Sequence, residues 1–151
     1  MFTNSLAADK NLANKVFYKS SFGVDEVRVN SLFDVAENAG VSLSRRSLTL
    51  DDVLSVLESG NVLITLINNN ALSCRHCHST ARRLLNSLGF KRLFQGHYIV
   101  VVGFDSVAQW ILYRDPASKK DLCCTTYKDF ERARKFSGTD EDLIIVQLPI
   151  G

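Results

Sequence analysis

The sequence predicts a single α+β domain whose mixed or antiparallel sheet is flanked by helices, and three observations lead to this fold class. Apolar runs typical of buried strands alternate with segments of helical periodicity along the 151-residue chain. A hydrophobic content of 46% is enough for one domain of this size to bury roughly two-thirds of its unfolded surface. Two strand candidates are separated only by a tight turn, which is the pattern of an antiparallel hairpin.

The charge balance favours neither nucleic acid nor a membrane as a partner. The net charge is only +2, so no broad basic surface is expected. No apolar run approaches the ~20 residues that span a bilayer, and the first residues lack the basic and apolar segments of a secretory signal. We therefore expect a cytoplasmic protein whose four cysteines are reduced thiols.

The first forty residues are predicted to be mainly helical. Residues 7–17 have weak helical character, whereas apolar side chains recur at helical spacing through residues 24–39 and predict an amphipathic helix. Gly40 follows at the position of a C-terminal helix cap. Residues 41–44 are then a candidate for a short strand.

The next segment contains the best-marked helix and the first long strand. Thr49 is predicted to cap this helix, because an acidic residue, Asp52, follows three positions later. Gly60 marks the end of the helix. Residues 62–67 form a continuous apolar run rich in β-branched residues, which predicts a strand buried on both faces.

Residues 68–95 are polar and irregular, apart from a short helical pattern at residues 79–88. The segment is long for a connection, and such segments are often functional or disordered. We interpret its basic cluster as a solvated face, and this cluster consists of Arg82, Arg83, Lys91 and Arg92.

The last third of the chain is predicted to contain a hairpin, a helix and a final strand. Residues 97–105 and 109–115 form the hairpin, because both are rich in β-branched and aromatic residues. Residues 115–124 are predicted to be a loop. Thr126 then caps a helix, with Asp129 in the acidic position of a second capping pattern, and the apolar run before the C-terminus forms the last strand.

The stretch CRHCH within the long polar segment fits two chemistries. The C-x-x-C-H pattern is that of covalent haem attachment, which requires export, and the chain shows no signal peptide. Zinc is the other candidate, with Cys74, Cys77 and a further ligand such as His78 or Cys123. A structural zinc site needs four ligands, however, and the adjacent Cys123 and Cys124 would point apart on an extended chain. Zinc binding is therefore the lesser alternative.

A histidine and an aspartate lie at the open end of the predicted hairpin. His97 begins the first strand, and Asp115, directly before Pro116, ends the second. If the turn centres near Val107, paired residue numbers sum to about 214 and the two side chains share one face, with Cβ atoms roughly 7–8 Å apart. A carboxylate so placed can fix the imidazole tautomer, which leaves the other ring nitrogen to act as a base. The spacing alone also allows two independently solvated side chains.

Five blocks of the sequence are similar to the guanylyl cyclase domain-containing protein 1 family, relatives of the plant soluble guanylyl cyclase-like proteins. They are VFYKSSFGVDEVRVNSLF, LESGNVLITLINN, QGHYIVVVGFD, YRDPA and GTDEDLIIVQL, and they cover nearly the whole chain. The resemblance implies formation of cyclic GMP from GTP, with a divalent metal if the protein is a cyclase. The family in turn resembles papain-like peptidases of the bacteriocin-leader type, which implies a papain-like fold and a peptide-like substrate as the alternative.

The likeness to papain-like peptidases also implies roles for individual residues. In those enzymes a cysteine near the domain start attacks, a histidine in a G-H-x-[VI]-x-[VI]-x-G strand is the base, and an aspartate in a following D-P orients it. His97 and Asp115 match the last two positions. No cysteine precedes Cys74, and Met1 falls where the family's D-C-G-like segment should already have ended. We therefore expect an N-terminally incomplete domain that lacks the nucleophile.

Three functional hypotheses remain open at this point. The chain is an enzyme named for cyclase activity but built like a cysteine hydrolase, a non-catalytic module that binds protein partners, or a zinc protein. The cyclase hypothesis depends on the resemblance, because the sequence contains no G-x-x-x-x-G-K-[ST] phosphate loop. The acidic clusters are explained by helix starts and by a turn at Asp140, Glu141 and Asp142.

Overall fold

The computed structural model describes residues 1–5, 22–75 and 94–148, which form a seven-stranded mixed sheet with three helices. The strands are β1 (Phe2–Thr3), β2 (Ser44–Arg45), β3 (Val62–Asn68), β4 (Gly96–Asp105), β5 (Trp110–Arg114), β6 (Cys123–Thr126) and β7 (Leu143–Val146). The helices are α1 (Phe22–Ala36), α2 (Leu50–Glu58) and α3 (Tyr127–Arg134). The strand order is β2-β1-β7-β3-β4-β5-β6, so the α+β class and the mixed sheet are confirmed.

Both predicted capping residues begin their helices. The Thr49 hydroxyl accepts the Asp52 N–H at 3.1 Å, and the Asp52 carboxylate accepts the Thr49 N–H at 2.9 Å, which completes a capping box. The hydrogen bond from the Thr49 backbone also lowers the pKa of the Asp52 carboxyl. At α3, the Thr126 hydroxyl accepts the Asp129 N–H at 3.1 Å. These ends were predictable because capping is a local interaction.

The register of the central hairpin follows the prediction at its open end. Val100 pairs with Arg114, which corresponds to the expected sum, and the register shifts by one between Val101 and Gly103. This β-bulge changes the pairing only towards the turn. On the other side of β4, His97 pairs with Ile67 of β3. The bulge therefore leaves the open end of the hairpin as predicted.

Three strand assignments from the sequence need correction. The loop predicted at residues 115–124 ends before Cys123, because Cys123 begins β6 and pairs with Tyr113. The short strand expected at residues 41–44 begins only at Ser44, and β1 was not predicted. These strands are two to four residues long, too short for a periodic signal, and neighbouring strands define them. The helical patterns at residues 7–17 and 79–88 lie outside the described residues.

One face of the sheet forms the hydrophobic core together with α2 and α3. Val53 of α2 and Phe130 of α3 are both fully buried there. The sheet residues on this face are likewise buried, and they include Leu63, Ile67, Ile99, Val101, Ile111, Tyr113, Cys123 and Leu143. On the opposite face Tyr98 is 49% exposed. None of the described helices is long and apolar enough to cross a membrane.

Candidate functional site

His97 and Asp115 form a direct hydrogen-bonded pair at the open end of the β4–β5 hairpin. The distance between His97 Nε2 and Asp115 Oδ1 is 2.8 Å. Because a carboxylate can only accept a hydrogen bond, Nε2 bears the proton and Nδ1 of the neutral ring presents a lone pair. Each side chain is 21% exposed. The structure thus brings together the two residues that the sequence placed as diagonal neighbours, at a partly shielded position that solvent reaches.

The position of His97 follows from the alternation of side chains along β4. Every second side chain of a strand points to the same face, so His97 shares its face with Ile99 and Val101. Both of these residues are fully buried in the core. His97 therefore lies where the apolar core meets solvent, and the strand rather than a loop sets the direction of its side chain.

A turn directly after β5 holds the Asp115 carboxylate in place. Asp115 Oδ1 also accepts the Ala117 N–H at 2.8 Å, and the Asp115 carbonyl accepts the Ser118 N–H at 3.0 Å. This is an Asx-turn, and Pro116 presets the backbone angle of its second residue. One carboxylate oxygen thus binds both the turn and the imidazole, so the turn fixes the distance between carboxylate and ring.

The second ring nitrogen is available for chemistry. Within residues 1–5, 22–75 and 94–148, no side chain or backbone group hydrogen-bonds to Nδ1 of His97. An imidazole oriented by a carboxylate through one nitrogen can remove a proton through the other, because the carboxylate stabilises the imidazolium that forms. The arrangement is that of a general base.

Asn68 is a site residue that the sequence reasoning missed. It is fully buried at the end of β3 and pairs with Gly96, directly before His97. Its Oδ1 accepts the N–H groups of Asn70 and Gln95, each at 3.1 Å. The available signal was an asparagine directly after an apolar strand, since asparagine side chains often hydrogen-bond the backbone of a turn.

The described cysteines are buried in the protein interior. Cys74, Cys123 and Cys124 are each only 1–2% exposed. As expected for an extended chain, Cys123 and Cys124 are consecutive residues of β6 and so point to opposite faces. No group of three or more His, Cys, Asp or Glu residues in the described ranges could hold a metal ion. His76, Cys77, His78 and the basic cluster lie outside those ranges.

The acidic turn before β7 has a structural explanation. The Glu141 carboxylate accepts hydrogen bonds from Asn4 Nδ2 at 2.7 Å and from the Ser47 hydroxyl, and it lies 3.6 Å from Arg134. Burial raises the pKa of the neighbouring Asp142 carboxyl, with a smaller contribution from the charge of Asp140. The turn thus ties β1 and α3 to the sheet, and its acids are not arranged as metal ligands.

Replacing Asp142 with asparagine is expected to stabilise the protein at neutral pH but not near pH 3. A raised pKa means that the folded state holds its proton to higher pH than the unfolded chain, whose aspartates titrate at about 3.9. The protein with the native Asp142 therefore becomes less stable as pH rises through the folded-state pKa of this carboxyl. Asparagine avoids that loss, because it does not ionise. Urea unfolding at the two pH values measures the effect, with exposed Asp121→Asn as the baseline. An equal gain at both pH values would contradict the assignment.

Comparison with known proteins gives a match over the whole chain. A family model described as guanylylate cyclase matches residues 1–146. Guanylyl cyclase 1 of Arabidopsis thaliana is 34% identical over 148 residues, which is 97% of this chain and 53% of that protein. The chain therefore spans about half the length of this curated relative. No solved structure matches, so the papain-like architecture stays a prediction.

Proposed function

We propose, since the chain belongs to the guanylylate cyclase family, that His97 and Asp115 form the general base for conversion of GTP to cyclic GMP and pyrophosphate. The observation that supports this role is the 2.8 Å hydrogen bond between His97 Nε2 and Asp115 Oδ1. The name of the relative supports the choice of a nucleotide as substrate. The geometry of the pair supports its role as a base.

The proposed reaction needs one proton acceptor on the protein. His97 Nδ1 takes the proton of the ribose 3′-hydroxyl while that oxygen forms a bond to the α-phosphorus. The bond between the α-phosphorus and the bridging oxygen breaks, and pyrophosphate leaves. Asp115 stabilises the imidazolium, which then returns its proton to pyrophosphate or to solvent. A positioned base of this kind typically contributes about 10²–10⁴-fold to a rate.

The described side chains do not fit a protein-bound catalytic metal. Within the ranges that the structure covers, no three His, Cys, Asp or Glu residues could hold one ion. The proposal therefore assigns no step to a metal held by these residues. The divalent cation that accompanies a nucleoside triphosphate enters with the phosphates, as part of the substrate.

Hydrolysis of a peptide-like substrate by a thiol is the second candidate function. A carboxylate bound to Nε2 with Nδ1 presented is also the arrangement that activates a cysteine nucleophile. Cys74, Cys123 and Cys124 are buried and do not provide that thiol. In this reading the chain supplies the base and its orienting residue, while the nucleophile comes from another segment or chain. A non-catalytic module with protein partners is the remaining alternative.

Activity assays that compare the purified protein with substituted variants test the proposal. We expect the protein to form cyclic GMP from magnesium GTP, and His97→Gln to reduce the rate of formation by about 10²–10⁴-fold. Tyr98→Phe is the matched control, because the next residue of β4 points to the opposite face. Equal rates for the protein and His97→Gln would show that His97 is not the base.

The same preparations distinguish the alternatives. If no cyclic GMP forms, peptide probes that react with thiols test the hydrolase hypothesis, in the presence of a longer relative that supplies the nucleophile. Labelling that depends on His97 would support the hydrolase. A protein inert in both assays, and unchanged by His97→Gln, would support the non-catalytic module.

A further inference from the structure

We propose that Asn68 is a positioning residue that fixes the start of β4 and thereby holds His97 at hydrogen-bonding distance from Asp115. The inference deepens the proposed function, because its importance depends on His97 being the working group. Its geometry can be tested without any activity. Three observations support it: the two backbone hydrogen bonds of the Asn68 side chain, the orientation of its amide, and the lack of a side chain at the neighbouring Gly96.

The Asn68 side chain hydrogen-bonds to the backbone just before β4. Its Oδ1 accepts the Gln95 N–H at 3.1 Å, and the neighbouring Asn69 N–H donates to the Gln95 carbonyl at 2.8 Å. Both backbone groups of Gln95 are therefore bound to the end of β3. The same Oδ1 accepts the Asn70 N–H at 3.1 Å, which fixes the turn after β3. Only Gly96 lies between this double contact and His97.

The hydrogen-bond partners determine the orientation of the Asn68 amide. Both partners are N–H donors, so the atom that faces them is the oxygen. The NH₂ group then points away, and the buried Nδ2 has no hydrogen-bond partner among the described residues. Leaving a buried donor unpaired is unfavourable, so an asparagine that merely filled space would be a poor choice. Its stabilising role lies with the oxygen, and therefore with Gln95 and Asn70.

Gly96 cannot itself contribute a side-chain anchor at the start of β4. Gly96 pairs with Asn68 and has no side chain, and a Cβ there would lie 3.1 Å from the Phe94 ring. The ring would have to shift by a few tenths of an ångström to admit a side chain at this position. His97 follows at once, opposite Ile67. A backbone shift of about 1 Å at Gln95 would move the imidazole away from Asp115, and displacements of this size are costly in active sites.

The test measures the proton that His97 shares with Asp115. In protein labelled with ¹⁵N at histidine, the exchange rate of the His97 Nε2–H with water reports the strength of its hydrogen bond. The chain contains three histidines, and the loss of a signal in His97→Gln assigns it. We expect Asn68→Ala to raise the exchange rate about tenfold, the effect of losing roughly one hydrogen bond. Asn68→Asp, which keeps the acceptor oxygen, should restore the original rate.

A matched control separates positioning from general loosening. Thr125 of β6 is fully buried, and within the part of the chain that the structure describes its Oγ1 also has no hydrogen-bond partner. Thr125→Val changes a comparable buried position, distant from His97, and should leave the exchange rate unchanged. If Asn68→Ala does not fold, Asn68→Ser, whose shorter side chain loses the Gln95 contact, should show the same tenfold increase.

Two results would overturn the proposal. The first is an unchanged exchange rate in Asn68→Ala, or in Asn68→Ser where alanine does not fold. The second is an equal increase in Thr125→Val, which would indicate a loosened sheet. A protein that forms no cyclic GMP leaves this measurement intact, because the exchange rate is read without substrate. Failure of the proposed function and failure of the positioning role are therefore distinguishable.

Discussion

Replacing Arg134 with alanine is expected to lower the free energy of unfolding by about 3–5 kcal/mol, the usual cost of removing one partner from a buried ion pair. The Arg134 side chain is only 1% exposed although it is an arginine. Its guanidinium donates to the Glu131 carboxylate and, at 2.6 Å, to the Leu48 carbonyl, and it lies 3.6 Å from Glu141. Alanine would leave the carbonyl of the buried Leu48 without this donor, and it would remove a cationic partner from Glu131 and Glu141.

The expected size of this effect reflects the parts of the fold that Arg134 joins. Leu48 lies just before α2, Glu141 lies in the turn before β7, and Arg134 itself is the last residue of α3. One side chain therefore connects the start of α2, the end of α3 and the turn before β7. Its loss should weaken contacts between elements rather than the helix that contains it. Urea unfolding followed by circular dichroism and by Trp110 fluorescence measures the change.

Lys135→Ala is the matched control for this prediction. Lys135 follows Arg134 in sequence and forms an ion pair with the same Glu131 carboxylate at 2.9 Å, but its side chain is 39% exposed. Exposed pairs of this kind contribute about 0–1 kcal/mol. We expect at least a threefold difference in free-energy loss between the two variants. Similar losses would show that burial does not determine the contribution of Arg134.

The features that were predictable from the sequence are those formed by residues close together along the chain. Thr49 and Asp52 are three residues apart and form a capping box in the structure. The register at the open end of the hairpin follows from the position of its turn, so the proximity of His97 and Asp115 was also predictable. In both cases backbone geometry allows few local arrangements, and the residue types indicate which of these arrangements forms.

The features that were missed depend on contacts between distant segments. Arg134 contacts the carbonyl of Leu48, 86 residues away in sequence, and no local pattern identifies a buried arginine. Asn68 binds Gln95 across a separation of 27 residues. In the sequence it is only the first residue of a polar segment. β1 has two residues and depends on β2 and β7 for its definition.

The local origin of the His97–Asp115 pair has a consequence for the proposed function. The β4–β5 hairpin and the turn after β5 bring an imidazole and a carboxylate to neighbouring positions. The pair therefore does not by itself identify the reaction, because the same arrangement serves any step that needs an oriented base. Family membership favours the nucleotide, and direct measurement of cyclic GMP decides between that substrate and a peptide.

Replacing Asp115 with asparagine is expected to reduce the turnover rate for cyclic GMP formation by about 10²–10⁴-fold while leaving the fold intact. Asparagine keeps an oxygen that can accept the Ala117 N–H, so the turn after β5 should persist. It removes the negative charge that stabilises the imidazolium. The loss should therefore appear in kcat, with KM little changed.

Asp105→Asn provides a control of the same chemistry at the other end of the same hairpin. Asp105 Oδ1 accepts the N–H groups of Val107 and Ala108, at 2.9 Å and 2.8 Å, as Asp115 Oδ1 accepts that of Ala117. Asp105 has no histidine partner among the described residues. If loss of a carboxylate charge from a turn were sufficient to reduce turnover, both variants would be impaired. We expect only Asp115→Asn to lose activity, because only that carboxylate contacts the base. Equal activity of the two variants would mean that the reaction does not pass through the His97–Asp115 pair.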